Sequence, residues 1–322
     1  MSRPHSSSLV RFGRTDLFVT RLCQGTAFRH LPRTEDPRAL EVLHRCLDLG
    51  INFFDSATAY GWGGAEKALG KAIVGRRSDL VICTKIVPSY PPEREGEPGQ
   101  SAHFTRAFLC EQLEASLRRL GTDYVDLYML HQPDAETPVA DIAEAMRSLV
   151  EAGKIRYWGV SNHSATHVSA FAELEVEGTA IAGVEDYYNI AGTHLDADGR
   201  SRVRVFEEEM FPILRREGLG CLAFSPMDTG HLAPENSVEG DEPLADLIET
   251  LDQVAGQLGV PRAAVCVAWV LTRPEITSVL AGSESSEQVE ANLLGAGLEL
   301  DGEALSALDA ASASFRRGRE AE

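Results

Sequence analysis

The sequence of 322 residues has few cysteines, a deficit of positive charge and no long apolar run. Its six cysteines form no Cys-x-x-Cys pair and no zinc-ligand spacing, which argues against a disulfide framework or a metal site. The 30 Lys and Arg residues against 49 Asp and Glu give a net charge of −19, which repels nucleic acid and anionic membranes. No stretch matches a signal peptide or a membrane span. We therefore predict a soluble, cytoplasmic protein that binds no metal, nucleic acid or membrane.

Short apolar runs alternate with helical periodicity along most of the chain, a pattern typical of parallel β-α-β units. The hydrophobic content of 43% is sufficient for one large core. Eight strands are predicted, at residues 21–26, 51–56, 80–86, 125–131, 155–162, 181–189, 220–226 and 276–282. Eight such units close into a barrel, so we predict an α/β fold, a (β/α)8 TIM barrel, as a single domain over residues 1–322.

Several segments lie outside the eightfold repeat. Residues 1–20 predict an N-terminal hairpin across the barrel floor, and residues 243–258 and 301–315 predict additional C-terminal helices. The long loops 88–103 and 191–202 follow the third and sixth strands, where loops form the mouth of a barrel active site. The terminal sequence FRRGREAE is typical of a solvated, frayed tail.

Titratable side chains end three of the predicted strands. Strand parity places Asp55, Lys85 and His131 on the same face as the apolar residues two positions before them, which is the barrel interior. Tyr60 follows Asp55 on the next loop. Each residue alone has an ordinary structural explanation, such as a helix cap, a snorkelling lysine or a packed aromatic ring. Together at one rim they indicate a catalytic centre.

These four side chains suit the reduction of a carbonyl group. Such a reaction needs a hydride source and an acid for the developing alkoxide, and a tyrosine with a pKa of about 10 is a reluctant donor. Lys85 is expected to lower the pKa of Tyr60, and Asp55 to keep Lys85 charged. His131 can donate a hydrogen bond to the substrate oxygen. The pattern contains no activated acyl nucleophile and no paired carboxylates for glycoside hydrolysis.

Motifs over nearly the whole chain resemble the aldo-keto reductase superfamily. They are INFFDSATAYGWGGAEKALGKAI, VICTKI, VDLYMLHQPD, GKIRYWGVSN and AAVCVAWVLTRP, in matching order and spacing. The resemblance implies a catalytic tetrad of Asp55, Tyr60, Lys85 and His131. It also implies an NAD(P)H-dependent reduction of an aldehyde or ketone, or the reverse oxidation of a sugar or other alcohol.

The resemblance also implies the residues that contact the cofactor. They are Gly25, Thr26, Asp55, Ser161, Asn162, Glu185, Phe224, Ser225, Pro226, Met227, Gly282, Ser283, Glu284, Gln288 and Asn292. Phe224 stands where the family usually has a tyrosine that stacks on the nicotinamide, and its aromatic face serves that purpose equally. Glu185 stands where a glutamine is common, and a carboxyl group donates a hydrogen bond only when protonated.

The region expected to bind the adenosine end lacks positive charge. Gly282 and Gln288 occupy the positions where relatives commonly have cations for a 2′-phosphate, and Glu284 adds a negative charge. A phosphate dianion without a cation is poorly stabilised, so we favour NADH over NADPH. Three arginines could reverse this preference if their loop folds over the cofactor: Arg200, Arg202 and Arg204.

The substrate is less well defined. Phe28, Trp62, His163 and Tyr187 adjoin motif residues that border the pocket in relatives, and an aromatic pocket suits a sugar or a planar carbonyl compound. The sequence leaves the substrate, the physiological direction and the oligomeric state open. A second hypothesis is a cofactor-binding regulatory subunit without turnover, because barrels of this family also serve as accessory proteins of channels.

Overall fold

A closed barrel of eight parallel strands forms the centre of the protein. The computed structural model describes residues 9–29, 36–91, 99–174, 181–234, 236 and 240–320. The strands are β1 Val10–Arg11, β2 Phe18–Val19, β3 Leu22–Gly25, β4 Phe53–Asp55, β5 Val81–Ile86, β6 Ser89–Tyr90, β7 Gln100–Ser101, β8 Val125–Leu130, β9 Ile155–Ser161, β10 Gly183–Tyr187, β11 Gly220–Phe224 and β12 Ser278–Ala281. The barrel runs β3, β4, β5, β8, β9, β10, β11, β12 and back to β3. All eight predicted strands and the TIM barrel are therefore confirmed.

Helices follow the barrel strands and cover them from outside. They are α1 Pro37–Asp48, α2 Gly64–Ala72, α3 Arg106–Leu120, α4 Val139–Glu151, α5 Ala165–Glu173, α6 Arg202–Val205, α7 Phe211–Glu217, α8 Glu242–Leu258, α9 Arg262–Leu271, α10 Ser286–Ala296 and α11 Gly302–Glu320. Thr105, Ser164 and Ser285 begin their helices by accepting a hydrogen bond from the amide three residues later. Gly50 and Gly153, with φ of 80° and 69°, follow the ends of α1 and α4.

The floor of the barrel is closed by the predicted N-terminal hairpin. β1 and β2 pair antiparallel, and Phe12 between them is fully buried. The ring of Phe12 lies against the first residues of β10 and β11. A Cβ at Gly183 or Gly220 would come within 2.6 or 2.5 Å of that ring, so both positions require glycine. Residues 1–8 of the predicted segment lie outside the described residues.

The interior of the barrel is apolar up to the ends of its strands. Its buried cluster combines hairpin and strand side chains: Phe12, Leu17, Val19, Cys23, Phe53, Val81, Cys83, Leu127, Met129, Ala182, Leu222 and Leu280. Phe53, Cys83 and Met129 precede Asp55, Lys85 and His131 by two positions, so the predicted strand parity is confirmed. The apolar interior therefore ends at a charged rim.

The two additional C-terminal helices are confirmed as α8 and α11, which pack against each other. The expectation of a frayed tail is wrong up to residue 320, because α11 continues to Glu320. The carboxylate of Glu320 accepts a hydrogen bond from the amide of Ser201 at 2.7 Å and pairs with Arg204 at 2.8 Å. The contacts of Glu320 with Ser201 and Arg204 thus stabilise the end of α11 beyond residue 315, where the predicted helix ends.

The long loops carry some local structure. β6 and β7 form a short antiparallel ribbon within the predicted loop 88–103, of which residues 92–98 lie outside the described ranges. None of the described helices is by itself long and apolar enough to cross a membrane. The pair α8 and α9 meets that requirement only together and is bent by 97°. The single-domain organisation over residues 1–322 stays a prediction.

Candidate active site

Backbone hydrogen bonds at the carboxyl ends of β4 and β5 place the candidate catalytic residues. The amide of Thr58 donates to the carbonyl of Lys85 at 2.9 Å, which holds the loop after β4 against the end of β5. The loop then turns, with the amide of Tyr60 donating to Ala57 at 3.1 Å and the carbonyl of Tyr60 accepting from Ala65 of α2 at 3.2 Å. Tyr60 is therefore fixed between a barrel strand and a helix start.

Lys85 lies between two carboxyl groups, not one. Its ammonium donates to Asp55 of the neighbouring β4 in a short ion pair. Both carboxyl oxygens of Glu185, from β10, lie 3.1 Å from the same nitrogen. The Lys85 side chain is 0% exposed, and those of Asp55 and Glu185 are 1% and 3% exposed. Strand parity predicts the contact with Asp55, whereas no motif in the sequence pairs Glu185 with Lys85.

Burial and charge shift the pKa values of this group strongly. Burial alone would lower the pKa of Lys85, but the two carboxylates raise it well above its usual value, so Lys85 stays charged. Burial raises the pKa of Asp55 despite the opposing effect of Lys85. Burial and the Asp55 carboxylate raise the pKa of Glu185 to about 8. A glutamate at this position is therefore mostly protonated at neutral pH.

Tyr60 lies beside both Lys85 and His131. The Lys85 nitrogen is 5.3 Å from the centroid of the Tyr60 ring, and the rings of Tyr60 and His131 meet edge to face at 5.6 Å between centroids. The expected lowering of the Tyr60 pKa is wrong as a net effect. Burial raises this pKa, the carboxylates of Asp55 and Glu185 add to the increase, and Lys85 opposes it only in part. Tyr60 thus keeps its proton in the ligand-free protein.

His131 follows β8 and is electrically neutral. Its amide donates to the carbonyl of Ile86 at 2.8 Å, which fixes its backbone at the rim. Burial, with a further contribution from Lys85, lowers the pKa of His131 to about 3. Its Nδ1 atom is buried and has no hydrogen-bond partner among the described residues. A neutral imidazole with an unpaired nitrogen can still bind an incoming polar group.

Asn162 joins the ends of three strands. Its side-chain amide donates to the carbonyl of His131 at 3.1 Å and to the hydroxyl of Ser161 at 3.0 Å. Its backbone amide donates to the carbonyl of Glu185 at 3.4 Å. A φ of 59° is rare for a residue with a side chain, and asparagine tolerates it better than most. Asn162 thus contacts the side chain of Ser161 and the backbone carbonyls of His131 and Glu185.

The loop after β11 has an unusual backbone. Ser225, Asp228 and Thr229 have positive φ values of 61°, 47° and 55°. Such conformations cost on the order of 1 kcal/mol each and persist only where surrounding contacts impose them. Buried Asp228 accepts hydrogen bonds from the Tyr187 hydroxyl and, at 3.3 Å, from the amide of Asn189. Ser225, Pro226 and Met227, which follow Phe224 at the end of β11, are therefore held against β10.

The residues predicted for the adenosine end lie together after β12. The Asn292 amide donates to the Ser283 hydroxyl at 3.0 Å, and the buried Asn292 Oδ1 has no partner in the described part of the chain. The Gln288 side chain accepts from the Glu284 amide at 2.7 Å. At Gly282 a Cβ would meet no atom within 4 Å, so the position has room for a side chain that this sequence lacks.

Arg29 is a rim residue that the sequence did not predict. Its amide donates to the carboxylate of Glu284, and its guanidinium donates to the carbonyl of Thr229. Arg29 thus connects the loops after β3, β11 and β12. No motif marks it, because its two partners are distant in sequence.

The three arginines considered as phosphate ligands are already paired with acids. Arg200 pairs with Asp196 and Glu209, Arg202 with Asp186 at 3.1 Å, and Arg204 with Glu208 and Glu320. Each ion pair neutralises charge that a phosphate would otherwise use. The use of NADH in place of NADPH stays a prediction.

The four candidate substrate residues lie in different environments. Phe28 is 2% exposed and belongs to the main core, whereas Trp62, with a φ of 47°, is 36% exposed. The Tyr187 ring stacks on His194 at 4.5 Å. His163 packs against Phe171 of α5, 6.1 Å away, and so lies towards the helix layer.

One group of potential metal-ligating atoms occurs in the described ranges. Atoms of Asp55, Cys83 and Glu185 lie within 4.8 Å of one another. The Lys85 ammonium already contacts both carboxyl groups, and burial raises the pKa of the Cys83 thiol well above 9. A neutral thiol is a poor ligand, and an ammonium repels a cation. The group is therefore an ion-pair site for Lys85. All six cysteines are free.

Comparison with known proteins gives consistent matches over nearly the full chain. The model of the Aldo/keto reductase family matches residues 21–313. An uncharacterized oxidoreductase YrpG of Bacillus subtilis is 32% identical over 92% of this chain and 93% of its own. A probable voltage-gated potassium channel subunit beta of Arabidopsis thaliana is 31% identical over 87% and 88%. The crystal structure of an aldo/keto reductase from Klebsiella pneumoniae in complex with NADP and acetate has a TM-score of 0.74 at 27% identity, covering 94% and 95%.

Proposed function

The chain belongs to the aldo/keto reductase family, and we propose that it reduces an aldehyde or ketone to an alcohol with Tyr60 as the proton donor. The observation that carries this proposal is the position of Tyr60 between a charged lysine and a neutral histidine. The Lys85 nitrogen lies 5.3 Å from the Tyr60 ring centroid, and the His131 ring lies 5.6 Å from it. General acid catalysis of this kind contributes roughly 10²- to 10⁴-fold to a rate.

Each side chain has a distinct task in the proposed reaction. Neutral His131 binds the substrate oxygen by a hydrogen bond and directs it towards Tyr60. Tyr60 gives its proton to that oxygen, and the phenolate that remains is stabilised by the Lys85 ammonium. Asp55 keeps Lys85 charged and in place through their buried ion pair. A reduced nicotinamide dinucleotide supplies the hydride when bound.

The residues after β9, β11 and β12 fit such a cofactor. Asn292 Oδ1 is a buried acceptor without a partner among the described residues, next to the Ser283 hydroxyl, and suits an N–H or O–H group of a nucleotide. Ser161, Asn162 and the aromatic face of Phe224 would hold the nicotinamide end. Glu284 and the paired arginines support a preference for NADH over NADPH. The Klebsiella pneumoniae relative is a complex with NADP, so the preference concerns this chain alone.

A single substitution tests the role of Tyr60. Tyr60→Phe is expected to lower kcat by roughly 10²- to 10⁴-fold because it removes only the transferable proton. Cofactor affinity, measured by fluorescence titration, should stay within a few fold. Tyr124→Phe is the matched control, since Tyr124 lies under the guanidinium of Arg77 and outside this centre. Wild-type activity in Tyr60→Phe would remove Tyr60 as the donor.

A regulatory subunit without turnover is the second candidate. It is supported by the relative described as a probable potassium channel subunit beta, at 31% identity. A panel of aldehydes and ketones, followed by the loss of absorbance of NADH and NADPH, separates the two. Tight cofactor binding without any turnover would favour the regulator. Alcohols with oxidised cofactor test the reverse direction, including oxidation of a sugar hydroxyl. A cytoplasmic location is part of the proposal.

A further inference from the structure

Glu185 reaches across the barrel to a lysine that already has a counter-ion. β10, which carries Glu185, and β5, which carries Lys85, are separated by β8 and β9 in the barrel. Both carboxyl oxygens of Glu185 nevertheless lie 3.1 Å from the Lys85 nitrogen. The geometry is that of two acids converging on one ammonium in a site almost without solvent exposure.

The charges of this site do not balance if both acids are ionised. One ammonium and two carboxylates would leave a net charge of −1 in the interior, which is strongly unfavourable. The neighbouring groups offer no second positive charge. His131 is neutral, and the thiols facing Glu185 hold their protons because burial raises their pKa values: Cys23, Cys83 and Cys221. Tyr60 is protonated as well. One proton therefore resides on the carboxyl pair.

The hydrogen-bond pattern indicates where that proton lies. Asp55 takes the short ion pair with Lys85, and a side-chain hydrogen bond between Asp55 and Glu185 favours the ionised form of Asp55 and the protonated form of Glu185. Carboxyl oxygens of Asp55 and Glu185 lie within 4.8 Å of each other. Burial and the neighbouring carboxylate raise the pKa of Glu185 to about 8. Glu185 is thus the acid that carries the proton at neutral pH.

We propose that Glu185 is a second acid of this centre, which stores a proton and returns it through Lys85 to Tyr60 after each carbonyl reduction. This inference rests on the proposed function. Tyr60 first loses its proton to the substrate oxygen. The Lys85 ammonium then gives a proton to the Tyr60 phenolate and becomes a neutral amine. The Glu185 carboxylic acid protonates that amine and becomes a carboxylate. After the product has left, one proton passes from solvent through the partly exposed Tyr60 and then through Lys85 back to Glu185, which closes the proton balance.

The location of the proton is tested without cofactor or substrate. Infrared spectra of the apoprotein at pH 7 should contain the C=O stretching band of a buried protonated carboxyl group. The band should disappear as the pH rises through about 8 and should be missing in Glu185→Gln. The control is Glu144→Gln, which changes an exposed acid on α4 and should keep the band. Absence of the band in the wild type, or its persistence in Glu185→Gln, would overturn the proposal.

The relay is tested by the pH dependence of the reduction. Because only protonated Glu185 can supply the proton, wild-type kcat should fall about tenfold between pH 7 and pH 9, following a pKa of about 8. Glu185→Gln should have a lower kcat at pH 7 and no such fall. The same fall in that variant would overturn the relay while the proposed function stands. If the band is present but no carbonyl compound is reduced, the relay and the proposed function fail together.

Discussion

The two ends of the barrel differ in how their buried polar groups are paired. At the floor, Phe12 fills the interior and the buried carboxylate of Asp126 is fully paired. Asp126 accepts hydrogen bonds from Arg77 at 2.7 Å, from Arg156 at 2.9 Å and from the backbone amide of Ile82 at 2.9 Å. At the rim, several buried polar atoms lack a hydrogen-bond partner among the described residues: His131 Nδ1, Asp228 Oδ2 and Asn292 Oδ1. A paired floor is expected to contribute stability, whereas unpaired polar atoms lie at the rim, where cofactor and substrate are proposed to bind.

The two ends also differ in which residues adopt the left-handed backbone conformation. Chain turns at the floor that need a left-handed conformation use glycine, as at Gly13 and Gly218, with φ of 55° and 60°. Loops at the rim place residues with side chains in that region: Trp62, Asn162, Ser225, Asp228 and Thr229. The strain is therefore located where cofactor and substrate contacts are proposed, and surrounding contacts of the rigid barrel offset it.

The largest loss of stability is expected from a substitution at the floor of the barrel. Phe12→Ala removes a fully buried ring from beneath β10 and β11, so the free energy of unfolding should fall by about 3–5 kcal/mol. The kcat of the surviving folded protein should stay near wild type. Urea unfolding and steady-state kinetics measure the two quantities.

Phe18→Ala is the matched control, because Phe18 belongs to the same hairpin and is 53% exposed. Its unfolding free energy should change by less than about 0.5 kcal/mol. Equal losses in the two variants would show that the hairpin, and not the ring beneath the strands, stabilises the floor.

The sequence predicted those parts of the rim that follow from local rules. Strand parity places Asp55, Lys85 and His131 inside the barrel, because side-chain alternation needs only the strand ends to be right. The contact between Glu185 and Lys85 escaped prediction, since it depends on how far two side chains reach across a closed interior. The net shift of the Tyr60 pKa was predicted in the wrong direction. The motifs show Lys85, which lowers this pKa, but they do not show how deeply Tyr60 is buried, and burial raises the pKa by more.

A second pattern concerns contacts between segments distant in sequence. Arg29 meets Glu284 and Thr229 only after the barrel has closed, and Glu320 meets Ser201 only after α11 has packed. Neither contact leaves a periodicity or motif in the chain. Such pairings can be identified only in the tertiary structure. The eight strands, in contrast, can be predicted from short apolar runs that alternate with helical periodicity.

An intermediate effect concerns His163, a rim residue that faces the helix layer. Burial lowers its pKa to about 4, below the usual value near 6.5. Between pH 4 and pH 6.5 the unfolded chain therefore binds more protons at His163 than the folded protein does. The free energy of unfolding thus has its full contribution from His163 above pH 6.5 and loses it as the pH falls towards 4. A shift of this size corresponds to about 3 kcal/mol.

Substitution at His163 tests whether the residue serves stability or substrate binding. His163→Gln should reduce the loss of unfolding free energy between pH 6.5 and pH 4, measured by urea titration at each pH, and leave KM unchanged. His167→Gln, at the exposed neighbouring histidine of α5, should keep the wild-type acid sensitivity. A raised KM of His163→Gln with unchanged acid sensitivity would instead place His163 in the substrate pocket, as a residue that binds substrate and does not stabilise the fold.

The smallest expected effect lies at the adenosine end of the rim. Glu284→Gln removes a negative charge beside the site proposed for the adenosine while keeping a side chain of the same size. NADPH affinity should increase about fivefold, which corresponds to about 1 kcal/mol, because the extra phosphate is no longer repelled. NADH affinity should change little. Glu290→Gln on α10 is the control, since Glu290 is exposed and pairs with Arg45. Fluorescence titration with both cofactors provides the measurement, and tighter NADPH than NADH binding in the wild type would contradict the charge argument at this end of the rim.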